Sequence, residues 1–168
     1  MSEKDILYKG KIKHNGVFNF KDFYSFLYEW ITNEGYFINE KSYSEKVSGD
    51  SKDVEIKWEA KKKVSDYFRF VITMNWRILG MKKIAVKKEG KEISMDSGLI
   101  EISFSVILEK DYEERWENQP FWKFMRGIYD RYIIRTRIEE YGKKAILELN
   151  ELINQCKDFL ELEAKVEQ

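Results

Sequence analysis

Cysteine, histidine and proline are almost absent from this sequence, which has one of each in 168 residues. A single cysteine, Cys156, excludes an internal disulfide framework and a zinc site built from cysteines. Its apolar neighbours at helical spacing indicate a small packing residue in preference to a reactive thiol. A single histidine, His14, excludes a histidine-rich metal site. We place it at the end of the first strand, where a hydrogen bond to backbone or water is the expected role and a general base the alternative.

Net charge is also absent, because basic and acidic residues each number 30. Without a global field, nothing draws the whole chain to nucleic acid or to an anionic membrane, so electrostatic binding requires local patches. No apolar run approaches the roughly 18 residues that a membrane span requires. The charged segment 1–13 lacks the apolar region of a signal peptide. We therefore expect a soluble cytoplasmic protein with no membrane span.

Alternating hydrophobicity is abundant in this chain. Every even residue of the segment 68–78 is apolar, and the segments 54–60 and 100–108 alternate in the same way. This period predicts strands with one buried face. Turn residues such as Asn15-Gly16 and Gly80 predict short connections between strands, which favour an antiparallel meander. Three further strands are predicted, at about 5–13, 36–47 and 84–86.

Two helices complete the predicted fold. The first follows the first strand, from Asn19 as its N-cap to Gly35. The second runs from Pro120 to about Leu162, which is on the order of 60 Å and longer than the sheet. We expect that Gly142 divides this helix or that its last turns, about 146–168, protrude. The sequence thus predicts one α+β domain, 1–168, with a curved antiparallel sheet of about six strands wrapped on a long C-terminal helix.

This order of elements resembles the helix-grip fold of the START-like superfamily: a strand, a short helical insert, a curved meander and a long closing helix. That resemblance implies a lipid, polyketide or other hydrophobic ligand between sheet and helix. A fainter resemblance is to the co-chaperone domain that activates Hsp90. It rests on Asn75-Trp76 in one strand, on a strand that begins at Gly98, and on the long helix. The second resemblance implies a protein-interaction module.

If the helix-grip resemblance is right, an apolar pocket lies between sheet and helix. Its expected lining is Tyr8, Ile12, Trp58, Phe70, Met74, Trp76, Phe104, Val106, Phe124, Ile128 and Tyr132. Arg131 and Arg135 are one helical turn apart and could bind a carboxylate or phosphate of the ligand. The alternative is that the same aromatic side chains fill the core, and that the two arginines pair with nearby glutamates.

No motif in the sequence identifies a reaction, and a nucleophile elbow is absent. We therefore expect a binding protein without catalytic residues, cofactor or metal. The last helical turns carry apolar residues at coiled-coil-like spacing, which predict a homodimer or partner surface, or packing within the chain: Ile146, Leu149, Ile153 and Leu160. A minor alternative is that the lysine-rich outer side of the sheet binds single-stranded nucleic acid.

Overall fold

The computed structural model describes residues 3–65, 68–110, 120–128 and 135–164. These residues form one five-stranded antiparallel sheet and three helices, which confirms the predicted α+β class. The strands are β1 (Glu3–Phe18), β2 (Phe37–Ser48), β3 (Ser51–Lys63), β4 (Phe68–Lys88) and β5 (Lys91–Lys110). The helices are α1 (Phe20–Asn33), α2 (Pro120–Ile128) and α3 (Arg135–Ala164).

The strand order in the sheet is β1-β5-β4-β3-β2. All neighbouring pairs are antiparallel, and β2 to β5 follow one another as a meander. β1 and β2 are therefore the two edges of the sheet, although they are consecutive in the chain. α1 connects these edges and so has to cross one face of the sheet. We call the face covered by α1 and α3 the inner face, and the opposite one the outer face.

The prediction of about six strands is wrong, because two of the predicted strands are one. β4 continues through Gly80, where the backbone has a φ of 60° and the pairing with β5 shifts between Leu79 and Lys82. Such a shift is a β-bulge, which bends a strand without ending it. β1 likewise continues through the predicted turn at Asn15-Gly16 and ends at Phe18.

The alternating segments have the predicted orientation. The even-numbered residues of β4 from Phe68 to Ile78 are buried, as are those of β3 from Val54 to Ala60. Their odd-numbered neighbours Lys57 and Asn75 are exposed. Because side chains alternate across a strand, the buried set shares the inner face.

α1 begins and ends as the sequence predicts. The side chain of Asn19 accepts a hydrogen bond from the backbone N–H of Asp22 at 3.1 Å and so caps the helix. Asp96 of β5 accepts a second one, from the backbone N–H of Phe20 at 3.0 Å. Negative charge is favourable at a helix N-terminus, so Asp96 fixes the start of α1 against the sheet. The apolar side chains that α1 buries are Phe23, Leu27 and Ile31.

α3 packs its middle and its end on the inner face. Gly142 lies within α3 and does not divide it. The sequence left open whether the segment from Ile146 packs within its own chain, and the structure shows that it does. Leu149, Ile153 and Leu160 are buried, and Ile146 is half-buried. These residues therefore neither protrude nor form an exposed partner surface. The side chains that α3 buries are Ala145, Leu149, Leu152, Ile153, Cys156 and Leu160.

α3 approaches the sheet closely at Gly10 of β1. A Cβ atom on Gly10 would lie 2.5 Å from Cδ1 of Ile153, well inside the contact distance of two carbon atoms. The missing side chain thus lets the helix contact the strand, which is one of the uses of glycine in a sheet.

Cys156 lies in this helix-to-sheet contact and is fully buried. Burial raises the pKa of its thiol, so the reactive thiolate is scarce. We expect Ellman's reagent to modify the native protein at least about a hundredfold more slowly than the guanidinium-unfolded protein. Similar rates in the two states would contradict the packing of α3 described above.

Candidate functional site

Most of the predicted pocket lining lies in one packed core. Six of these side chains are at most 3% exposed and belong to the same apolar cluster: Ile12, Trp58, Phe70, Met74, Trp76 and Phe104. Val106 is buried with them, and Tyr8 packs against the cluster from a half-buried position. At these positions the inner face is filled by side chains.

Three aromatic rings pack together on the inner face, the buried rings of Trp58 and Trp76 and the half-buried ring of Tyr24, and we call them the aromatic centre. The Trp58 centroid is 4.9 Å from that of Tyr24 and 5.0 Å from that of Trp76, and the other two centroids are 5.8 Å apart. Rings at these distances are in contact and leave no space for a ligand between them. Glu40 accepts hydrogen bonds from Nε1 of Trp58 at 2.9 Å and from the hydroxyl of Tyr24 at 2.5 Å. Burial and the hydrogen bond to Glu40 raise the pKa of Tyr24.

Phe124 and Ile128, two pocket residues predicted in the C-terminal helix, do not belong to this packed core. The sequence predicts that Phe124 and Ile128 face the sheet, but Phe124 is 66% exposed on α2 and Ile128 is half-buried. Arg131 and Tyr132 lie outside the described residues. Arg135 is the first residue of α3, and its side chain also lies outside the described part.

A groove opens where the first turns of α3 meet the end of β3. Its volume is about 210 Å³, and we call it the helix-mouth groove. At roughly 30 Å³ per water molecule, this is the volume of about seven waters. Such a space admits a small molecule or one end of a larger one. The lining residues are Tyr36, Lys62, Lys63, Val64, Phe70, Tyr141, Lys144, Ala145 and Glu148.

Both walls of the helix-mouth groove follow from local structure. On one wall, β3 ends at Lys63 and Phe70 projects from the inner face of β4. Tyr36 is buried just before β2 begins. On the other wall, four residues share one face of α3 because they are three, four and seven positions apart: Tyr141, Lys144, Ala145 and Glu148.

The charges around the groove are mainly positive. Among the described residues that line the groove, Lys62, Lys63 and Lys144 are basic and Glu148 is acidic, and Lys63 makes a further interaction of its own. The Nζ atom of Lys62 is 5.3 Å from the centre of the Tyr36 ring, a cation-π distance. Burial raises the pKa of Tyr36, and the carboxylate of Glu148 raises it further. The tyrosine hydroxyl therefore stays neutral and can donate a hydrogen bond.

These features fit a ligand with an apolar body and an anionic head. The apolar walls of the groove shield the apolar body of the ligand from water. The lysine ammonium groups form charge-assisted hydrogen bonds with a carboxylate, sulfate or phosphate. Phe70 is a predicted pocket residue that lines the groove. Sequence reasoning missed Tyr36, Tyr141 and Lys144. The shared helical face of Tyr141 and Lys144 was the signal that could have indicated them.

The outer face of the sheet is less basic than its lysines suggest. Hydrogen bonds from Lys61 and Lys11 lower the pKa of Glu59 and of Glu101 respectively. These contacts neutralise part of the surface that the nucleic-acid alternative requires. Three ion pairs between described residues of this face join Lys11 to Glu101 at 2.7 Å, Lys61 to Glu59 at 2.9 Å and Arg69 to Glu109 at 2.6 Å.

His14 lies inside β1 and pairs in register with Ile100 of β5. The predicted position at a strand end is wrong, because β1 continues to Phe18. The Nε2 atom of His14 is 3.4 Å from the carbonyl oxygen of Val17. This half-buried histidine thus has a backbone contact of the kind expected for it.

Neither a membrane-spanning helix nor a metal-binding cluster occurs in the described parts of the chain. None of the helices there is long and apolar enough to cross a membrane. Nor do three or more histidine, cysteine, aspartate or glutamate side chains in these segments gather so that they could hold a metal ion. Comparison of the chain with protein-family models, with curated proteins and with solved structures gave no match.

Proposed function

We propose that this protein is a non-catalytic binding protein that takes up a small amphipathic anion in the helix-mouth groove. One observation carries the proposal: aromatic walls and an excess of positive charge meet in the same cavity. The groove lies between the sheet and the closing helix, which is also where the helix-grip resemblance expects a ligand. The proposed ligand has its apolar part between β4 and α3 and its anionic group beside the lysines.

The two parts of the ligand are held by different forces. Its apolar part contacts Phe70, Ala145 and the ring of Tyr141, and each Å² of apolar surface removed from water contributes roughly 25 cal/mol. Its anionic group lies between Lys62 on one wall and Lys144 on the other. Charge-assisted hydrogen bonds of this kind are stronger than neutral ones, so the groove should prefer an anion over an uncharged analogue.

Octanoate is a suitable probe, because it combines a short apolar chain with one carboxylate. We expect Lys144→Glu to weaken octanoate binding by about tenfold or more, since the change replaces attraction by repulsion. Tyr141→Ala should also weaken it, because one aromatic wall is lost. Tyr141 is 41% exposed, so this change should leave the fold intact. Isothermal titration calorimetry on the full chain measures both effects.

Lys157→Glu is the matched control for Lys144→Glu. Lys157 is also an exposed lysine of α3, and its replacement changes the net charge by the same amount. It should bind octanoate as the wild-type protein does, and octanol should bind the wild type at least about tenfold more weakly than octanoate. Equal octanoate affinities of Lys144→Glu, Tyr141→Ala and the wild type would refute the groove as the binding site.

The filled aromatic centre favours a second candidate, a protein-interaction or co-chaperone-like module. In that case the rings of Trp58 and Trp76 serve stability alone, and the binding surface lies on the C-terminal helices. Leu149 and Ile153 are buried, so that surface has to involve other residues of those helices. Absence of octanoate binding to the wild-type protein would favour this candidate over the ligand-binding one.

A further inference from the structure

α2 exposes large aromatic side chains. Phe121 is 61% exposed, Trp122 41% and Phe124 66%. By contrast, α1 and α3 each bury an apolar stripe on the inner face of the sheet. Contiguous exposed apolar surface of this kind indicates an interaction site.

The apolar residues of α2 are spread over a broad arc. An α-helix turns by about 100° per residue, so these residues occupy an arc of roughly 160°: Phe121, Trp122, Phe124, Met125 and Ile128. Lys123 lies opposite the centre of that arc. Without Trp122 the arc would be the i, i+3, i+4, i+7 stripe of a helix that docks in a protein groove, and Trp122 widens it so that it matches a flat surface.

The charge of this segment is strongly positive, although the whole chain is neutral. α2 contains Lys123 and Arg126 and no acidic residue. From 121 to 137 the sequence has five basic residues against one acidic residue, Asp130. Helices that lie in a lipid interface combine Trp, Phe or Leu on one face with Lys and Arg on the other, and they prefer anionic lipids.

We propose that α2 docks on the surface of an anionic lipid bilayer, with Phe121, Trp122 and Phe124 inserted among the lipid headgroups. The helix lies in the plane of the interface and does not cross the bilayer. Lys123, on the opposite side of α2, contacts the headgroup phosphates. This inference does not depend on the ligand proposed for the helix-mouth groove.

Vesicle co-sedimentation of the full chain tests this proposal. The wild-type protein should bind mixed phosphatidylcholine–phosphatidylglycerol vesicles at least about tenfold more tightly than pure phosphatidylcholine vesicles, and added salt should weaken that binding. The double variant Phe121→Ser/Phe124→Ser should lose at least about nine tenths of the bound fraction, because the inserted side chains are gone. Lys123→Glu should lower binding to the anionic vesicles only.

Phe37→Ser is the matched control, because Phe37 is an aromatic residue on β2 that is 77% exposed and far from α2 in the sequence. It should bind vesicles as the wild type does. Thermal melts that match the wild type show that the double variant is folded, and its unchanged octanoate affinity separates this site from the groove.

Two results would overturn the proposal. The first is vesicle binding by Phe121→Ser/Phe124→Ser that equals that of the wild type. The second is absence of wild-type binding to anionic vesicles. If sedimentation equilibrium then shows a dimer that the double variant has lost, the occupant of this surface is a second copy of the chain and not a bilayer.

Discussion

Trp58→Ala should lower the free energy of unfolding by about 3–5 kcal/mol, which is the largest effect we expect from one substitution. The indole is 1% exposed and contacts the rings of Tyr24 and Trp76. Its removal leaves a cavity in the aromatic centre and takes one hydrogen-bond donor from Glu40. Urea denaturation followed by circular dichroism measures the change.

Two conservative variants separate packing from hydrogen bonding in the aromatic centre. Trp58→Phe loses the donor to Glu40. The Nε1 atom of Trp76, by contrast, is buried without a hydrogen-bond partner among the residues that the structure describes. An unpaired buried donor is unfavourable, so its removal in Trp76→Phe offsets part of the lost packing. We expect Trp58→Phe to be the more destabilising by about 1 kcal/mol, and the reverse order would contradict this arrangement.

The second large effect is expected at Gly10, where β1 meets α3. Gly10→Ala should destabilise the protein by about 1–3 kcal/mol, because the new Cβ overlaps Cδ1 of Ile153 and this buried side chain has little room to turn away. This sign is opposite to the usual one, since glycine within a strand normally weakens it. Guanidinium denaturation of the variant and the wild-type protein measures the difference.

A double-mutant cycle identifies the atom responsible. Ile153→Val removes Cδ1 and alone should cost about 0.5–1.5 kcal/mol. In the double variant Gly10→Ala/Ile153→Val, the overlap is gone, so the two changes together should cost clearly less than their sum. Strictly additive effects would show that the helix does not approach the strand at this point.

The residues of the inner face could be predicted from the sequence. Their alternation depends on the pleat of the strand alone, so Trp58, Trp76 and Phe104 could be assigned to one face before the fold was known. The short helix α1 could be predicted for a similarly local reason, since Asn19 caps it and an apolar stripe runs along it.

The number of strands could not be predicted, because glycine has two uses in a sheet. The sequence predicts a turn between strands at Gly80, yet this residue adopts its positive φ in a bulge inside β4. Glycine tolerates that conformation equally in a turn and in a bulge, so the residue type does not distinguish them. The pairing with β5 decides which one forms.

The position of the groove depends on packing between distant segments. The sequence shows apolar residues throughout 120–162 but not which of them meet the sheet. In the structure, one face of α3 from Ala145 to Leu160 is buried, whereas Phe124 is exposed. Tyr36 and Tyr141 are far apart in the sequence and line one groove only because α3 lies over the end of β3. For this reason the predicted pocket and the observed groove share Phe70 and little else.

The most direct test of the proposed binding site is an octanoate titration of the wild-type protein followed in amide proton–nitrogen correlation NMR spectra. The helix-mouth groove predicts that the largest shift changes occur at Lys62, Val64, Tyr141 and Ala145, and that they saturate with the affinity measured by calorimetry. Shift changes confined to α2 or to the outer face, or no shift changes at all, would contradict the groove as the binding site.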